Sequence, residues 1–201
     1  DSHRFELPEV RSALLEADIV CVQELFMSEA ERFFDQLEHG HKARVDNRST
    51  LFPLTFGGSG RGIASRFPIL SQTVRSFSRP QLGTERFARK GVLHARLDVG
   101  DAHLDLITTH LQSGYSPKAR AVRARQLAEI AALVEEVGAR DRPFIVCGDL
   151  NIDGLSDRAA RGELASEYQA LRDALPAFQD LGAEGDHATF HPHPEINELA
   201  H

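Results

Sequence analysis

The stretch FIVCGDLNID, residues 144–153, changes character halfway. Phe144, Ile145, Val146 and Cys147 form an apolar run of the kind that fills a buried strand. Gly148, Asp149 and Asn151 then arrive at once. A core strand that ends in a carboxylate and an amide two residues apart is either an ordinary turn or a rail that delivers polar groups to a site. Two other apolar runs help to decide. The run at residues 19–22 ends in Gln23-Glu24, and the run at residues 104–107 ends in Thr108-Thr109-His110. Each exit taken alone is an ordinary polar strand end. Together they offer complementary groups: two carboxylates, an imidazole, an amide and hydroxyls.

Working outward, strands and helices alternate. Pro8 followed by EVRSALLEA reads as a helix, with Pro8 suited to the first turn. SEAERFFDQLEH reads as another, opened by Ser28 with Glu31 in a capping-box spacing. GGSGRGIASRFPIL is a glycine-rich turn feeding a strand. In KGVLHARLDV, Val92, His94, Arg96 and Asp98 alternate with Leu93, Ala95, Leu97 and Val99, which predicts a strand with one wet face. Gly100-Asp101 then turns the chain into HLDLITTHL, a hairpin. The longest helix is expected from about Lys118 to Val137, with Val122, Leu127, Ile130, Val134 and Val137 near helical spacing, and a further one near residues 163–175. A mixture of this kind, with an antiparallel hairpin, points to a layered α/β sandwich rather than an all-parallel sheet.

Composition narrows the function classes. The chain has 201 residues, 41% of them hydrophobic and 26% charged, enough for one sizeable core in a single domain. A net charge of −7 advertises no basic face for nucleic acid, although bound divalent cations can reverse a local field. No apolar run is long enough to span a membrane, and the first residues do not read as a secretory signal. Cys21 and Cys147, the two cysteines, sit inside apolar runs and read as buried free thiols that pack rather than react.

If the three strand ends converge, they build a site suited to phosphate ester hydrolysis. Glu24 can hold Mg2+, whose charge polarises the phosphoryl group. His110 can hydrogen-bond a non-bridging oxygen as charge grows on it. Asp149 can orient or deprotonate water. Asn151 offers an amide donor to the phosphate without adding negative charge, and Gly148 lets the backbone turn closely there.

At these residues the chain resembles a known family. VCVQELF, GIASRFPIL, THLQS and GDLNID, in that order, are similar to the endonuclease/exonuclease/phosphatase superfamily, of deoxyribonuclease-I-like fold. ERFARKGVLHARL, THLQSGYSPKARAVRARQLAEI, SEYQALRDAL and HATFHPHPEINELA resemble the bacterial neutral sphingomyelinases within it. The resemblance covers residues 17–200 and implies a four-layered α/β sandwich, two mixed sheets flanked by helices. It implies Mg2+-dependent cleavage of sphingomyelin to ceramide and phosphocholine, with Mn2+ or Co2+ as replacements for the metal. A phospholipid at a membrane surface is the expected substrate, and an exported bacterial protein is expected ahead of a cytoplasmic one. Glu24 matches the metal-binding glutamate and His110 the phosphate-contacting histidine. Asp149 and Asn151 match the Asp and Asn of the family's GDxN motif. Lys90, before Gly91-Val92, stands where the family has a lysine; it either faces the phosphate or is a solvated strand-end residue. The alternatives are a nuclease or other phosphoesterase of the superfamily, or a catalytically silent binding module of that fold.

Two departures accompany the resemblance. The family's first strand, with a metal-binding asparagine, and its last, with an Asp-His pair supplying the general base, have no counterpart in residues 1–201, and a chain without them is expected to be severely impaired. His187 and His201 are not recruited as substitutes. His191 and His193 in HPHPEIN read as part of a rigid exposed loop ahead of a metal site. Arg123 and Gln126 either brace the catalytic loops or lie on a solvated helix face. Arg61 and Arg66 either touch an anionic substrate or are surface residues.

Overall fold

The structure, a computed structural model, describes residues 8–25, 28–45, 60–78, 82–83, 90–138, 142–153 and 163–181. Helix α1 (Pro8–Glu16) leads into β1 (Ile19–Val22), followed by α2 (Ser28–Gln36) and β2 (His41–Arg44). Then come β3 (Gly62–Ser65), β4 (Ile69–Ser76), β5 (Gly91–Asp98) and β6 (His103–His110). The long helix α3 (Pro117–Val137) carries the chain over to β7 (Phe144–Asp149), and α4 (Glu163–Ala174) closes the described part.

The strands form two sheets. The smaller has the order β1-β3-β2 with antiparallel pairs; the larger has the order β4-β5-β6-β7. In the larger sheet β4, β5 and β6 are antiparallel neighbours, while β6 and β7 run parallel, as a helical crossover such as α3 permits. The sheets face each other, with β1 against β7 and β2 against β4.

Three apolar layers hold this four-layered sandwich together. Val20, Val22 and Ala64 bury one face of the small sheet against Leu25, Phe34 and Leu37 of α2 and its flanks. Between the sheets lie Ile63, Leu93, Ala95, Leu97 and Leu106, with Cys21 and Cys147 packed against them. Beyond the large sheet, Val92 and Ile107 meet Leu127, Ile130, Leu133 and Val134 of α3. Burying one such Leu or Ile stabilises the fold by roughly 1.5–3 kcal/mol. Strand alternation therefore assigns each residue a layer. In β1 and just past it, Cys21 and Gln23 look into the gap between sheets; in β6, Thr108 and His110 do the same.

Helix α3 shows why its boundaries fall where they do. The Ser116 hydroxyl accepts from Ala119 N, Pro117 occupies the first turn, and Gly138 ends the helix in a left-handed conformation with φ 75°.

The structure corrects two local expectations and adds a strand that had none. The polar side of β5 is not wet: His94 is buried and Arg96 half-buried. Asp105 on β6, fully buried, draws both of them in, with His94 Nε2 at 2.8 Å and Arg96 Nε at 3.0 Å, and Arg142 reaches its other oxygen at 3.1 Å. GIASRFPIL is two strands rather than one. Phe67-Pro68 breaks it, because proline has no N–H for a ladder, and the halves enter different sheets. β2, with only Ala43 buried, carried no apolar signal. The Ser28 side chain and the HPHPEIN histidines lie outside what is described.

Candidate functional site

Strands β6 and β7 end side by side. Their register sets Thr109 opposite Gly148 and His110 opposite Asp149. Nε2 of His110 lies 3.8 Å from Oδ2 of Asp149, within ion-pair range and beyond hydrogen-bond length. The imidazole is 8% exposed and the carboxylate 54%, so one is walled in and the other opens to solvent. Leu111 N donates to Asp149 O at 2.9 Å and carries the ladder one step further.

Gly148 makes this closeness possible. Its φ is 125°, a region closed to side chains, and an added Cβ would lie 2.0 Å from Thr109 O. The glycine is therefore required by contact as well as by conformation.

Past Asp149 the chain folds back on itself. Asn151 N donates to Asp149 Oδ1 at 2.9 Å, and Asn151 Nδ2 donates to Leu111 O at 3.1 Å. The same carbonyl accepts from Nζ of Lys90. Lys90 is 4% exposed, so the solvated strand-end reading is overturned. One main-chain oxygen thus draws together the residue before β5, the loop after β7 and the residue following His110.

Glu24 stands at the exit of β1 in the other sheet, between two anchored neighbours. Gln23 Nε2 donates across the gap to Thr108 Oγ1 at 3.0 Å, two residues before His110. Leu25 N then donates to Gly60 O at 2.9 Å. Between these two anchors Glu24 is exposed and held at φ 62°. Glu24 and Asn151 are the non-glycine residues with positive φ among those described, and each lies two residues past the end of a strand, β1 and β7. Such conformations persist where the surroundings over-determine them.

Behind the pair, a polar brace holds the loop that follows His110. Arg123, 1% exposed, contacts Glu167 of α4 with Nε at 2.7 Å and Nη2 at 3.0 Å, and donates through Nη1 to Gln112 O and Gly114 O, each at 2.7 Å. Gln126 Oε1 accepts from Gln112 N at 2.9 Å. This settles the two readings of Arg123 and Gln126 in favour of the brace. Arg61 is buried rather than a surface residue, and burial lowers its pKa to about 10, which leaves it a cation at neutral pH. Arg66 bonds Asp18 Oδ1 at 3.2 Å and Leu15 O at 2.6 Å, which ties β3 to the end of α1.

The donor set fits a hard divalent cation. Mg2+ takes oxygen ligands and keeps several waters, so one or two protein carboxylates plus substrate oxygens suffice to hold it. Glu24, exposed at a constrained strand exit, would supply such a ligand. Among the described residues no group of three or more His, Cys, Asp or Glu side chains is placed to hold a metal ion, so water and substrate oxygens would have to complete the shell.

Residues 6–195 match the family model described as Endonuclease/Exonuclease/phosphatase family. Sphingomyelin phosphodiesterase 5 of Mus musculus is 28% identical over 172 residues, 78% of this chain and 35% of the relative. Sphingomyelinase C from Streptomyces griseocarneus superposes with a TM-score of 0.64 at 23% identity, over 86% of this chain and 60% of that one. A mutant beta toxin from Staphylococcus aureus with bound magnesium ions superposes with a TM-score of 0.69 at 20% identity, over 82% and 59%. The chain spans 32–39% of the length of the curated relatives it matches. It belongs to the endonuclease/exonuclease/phosphatase family, and its sandwich is the deoxyribonuclease-I-like one.

Proposed function

We propose that this chain carries the core of a Mg2+-dependent phosphodiesterase that hydrolyses sphingomyelin to ceramide and phosphocholine. The observation that carries this reading is the meeting of His110 and Asp149 on facing strand ends, 3.8 Å apart, with Asn151 folded against both strands. Likeness to proteins named as sphingomyelin phosphodiesterase and sphingomyelinase supports the substrate class. The net charge of −7 supports a zwitterionic lipid head group over a polyanionic nucleic acid.

The chain's own groups divide the work. Magnesium, when bound with Glu24 as a ligand, supplies Lewis-acid polarisation of the phosphoryl oxygens. Asp149, open to solvent, orients the attacking water and accepts its proton. His110 donates to a non-bridging oxygen as charge accumulates there, and its burial shields that hydrogen bond from water. Asn151 contributes an amide donor of no charge. Lys90, fixed on Leu111 O, keeps the loop after His110 in place and adds positive charge behind the phosphate.

The test is release of phosphocholine from sphingomyelin vesicles, run beside nicking of supercoiled plasmid, each with and without EDTA. The proposal expects EDTA-sensitive phosphocholine release with plasmid left intact. Plasmid nicking without lipid hydrolysis would assign a nuclease, and inactivity toward both would assign a binding module. No helix among the described residues is long and apolar enough to cross a membrane.

A further inference from the structure

The proposed mechanism leaves Cys21 and Cys147 unused, yet the fold brings them together. Cys21 on β1 precedes Gln23, just past the strand's end, by two, so both point into the gap between sheets. Cys147 is the register partner of Thr108 on β6 and points into the same gap. Both sulfurs pack against the same apolar layer, where β1 lies on β7. There the two thiols lie beside each other, with the Thr108 hydroxyl close to both. Thr108 in turn receives Gln23 Nε2 at 3.0 Å. Both cysteines are free and half-buried, and β1 and β7 are distant in sequence.

We propose that Cys21 and Cys147 form a redox-closable site, a dithiol that a disulfide-bearing oxidant such as oxidised glutathione converts into a cross-link between the two sheets. The hydrogen bond from Cys21 holds the Cys147 thiol below the ordinary range, and the bond to Cys147 together with burial pushes Cys21 above it. The cross-link is the same whichever sulfur attacks first; from Cys147 the exchange runs in two steps. Its thiolate attacks one sulfur of the oxidant, the S–S bond breaks, and one glutathione thiolate leaves and takes up the proton that Cys147 lost. The Cys21 sulfur then attacks the Cys147 sulfur of the mixed disulfide. A second glutathione departs with the proton from Cys21. In sum two protein thiols lose two electrons and two protons, and one oxidised glutathione becomes two reduced ones.

The consequence is mechanical. The cross-link pins the strand that leads to Glu24 against the strand that leads to Asp149. It closes a long loop of chain, and constraining the unfolded state in this way should raise Tm by roughly 5–15 °C.

The test is incubation of the intact protein with oxidised glutathione, followed by mass spectrometry, thiol titration in denaturant and a thermal melt. The expected product is a monomer lighter by two hydrogens, with no titratable thiol, a Cys21–Cys147 linked peptide and a higher Tm that dithiothreitol reverses. Cys21→Ser should stop at a glutathione adduct on Cys147 and show no comparable rise in Tm. Thiols that stay free, a stable adduct on the wild-type protein, or covalent dimers would overturn the proposal. So would an equal Tm gain in Cys21→Ser. None of these readings depends on catalysis, so the site can fail while the proposed function stands, and the reverse.

Discussion

Lys90 and Asn151 meet on one atom, the carbonyl oxygen of Leu111. The lysine lies before β5 and the asparagine after β7, so a single acceptor ties the two sides of the large sheet around the residue next to His110. Lys90→Met keeps the length of the stem and removes the donor. It should destabilise the fold by about 1–3 kcal/mol, the usual cost of losing a partner for a buried polar group. Denaturant unfolding checks the loss, and an unchanged midpoint would show that the bond holds nothing.

Glu24 is held at φ 62°, where an L-residue pays about 1–2 kcal/mol and glycine does not. Glycine loses about 0.5–1 kcal/mol in backbone entropy. Glu24→Gly should therefore leave Tm unchanged or slightly higher while removing Mg2+-dependent hydrolysis. A melt and a phosphocholine assay on one preparation give both readings.

His110→Ala should lower kcat by about 10²–10⁴-fold with little effect on folding, because the ring bonds charge that develops in the transition state. Asp149→Asn should fall in the same range. If both variants retain full activity, the chemistry lies elsewhere.

Gly148→Ala tests the close approach of β7 to β6. Its methyl group would lie 2.0 Å from Thr109 O at a φ of 125°. The expected outcome is a loss of at least about 3 kcal/mol, or insoluble protein, measured by unfolding or by yield.

Asp105 predicts an acid limit to stability. Burial alone would raise its carboxyl pKa, but hydrogen bonds from Arg96, His94 and Arg142 outweigh that and hold it below the ordinary range. A lowered folded pKa contributes stability that is complete above the unfolded value near about 4 and is lost as pH falls through the folded one. Melts across acid pH should show this decline, and Asp105→Asn should flatten it while lowering Tm at neutral pH.

Glu167→Gln should be more damaging than its modest change of shape suggests. It leaves the Arg123 guanidinium buried without its counter-charge, at a cost of about 3–5 kcal/mol. The paired replacement Arg123→Met with Glu167→Leu should recover part of that loss, as unfolding of both variants would show.

Much of this was legible because each apolar strand changes character at its exit. Phe144–Asp149 and His103–His110 announced themselves by composition, and their polar ends proved to be neighbours. β2 was illegible because an edge strand with one buried residue leaves no alternation to read. The wet face assigned to β5 failed for a different reason. Charge looks solvated in a sequence until its partner is known, and Asp105 sits one strand away in space. Lys90 stayed open between two readings for the same reason, since nothing local reveals a carbonyl waiting beyond β6. The joint between Gln23 and Thr108 links residues 85 positions apart and has no local signature at all.

The parallel ladder between β6 and β7 has an evolutionary corollary. Main-chain bonds decide how far apart His110 and Asp149 stand, and side chains lining the approach to them have no say in it. Loops around the mouth can be exchanged, lengthened or recharged while the spacing of this pair is kept. In a phosphodiesterase of the kind proposed, such a scaffold would let selection rewrite the choice of substrate without rebuilding the chemistry.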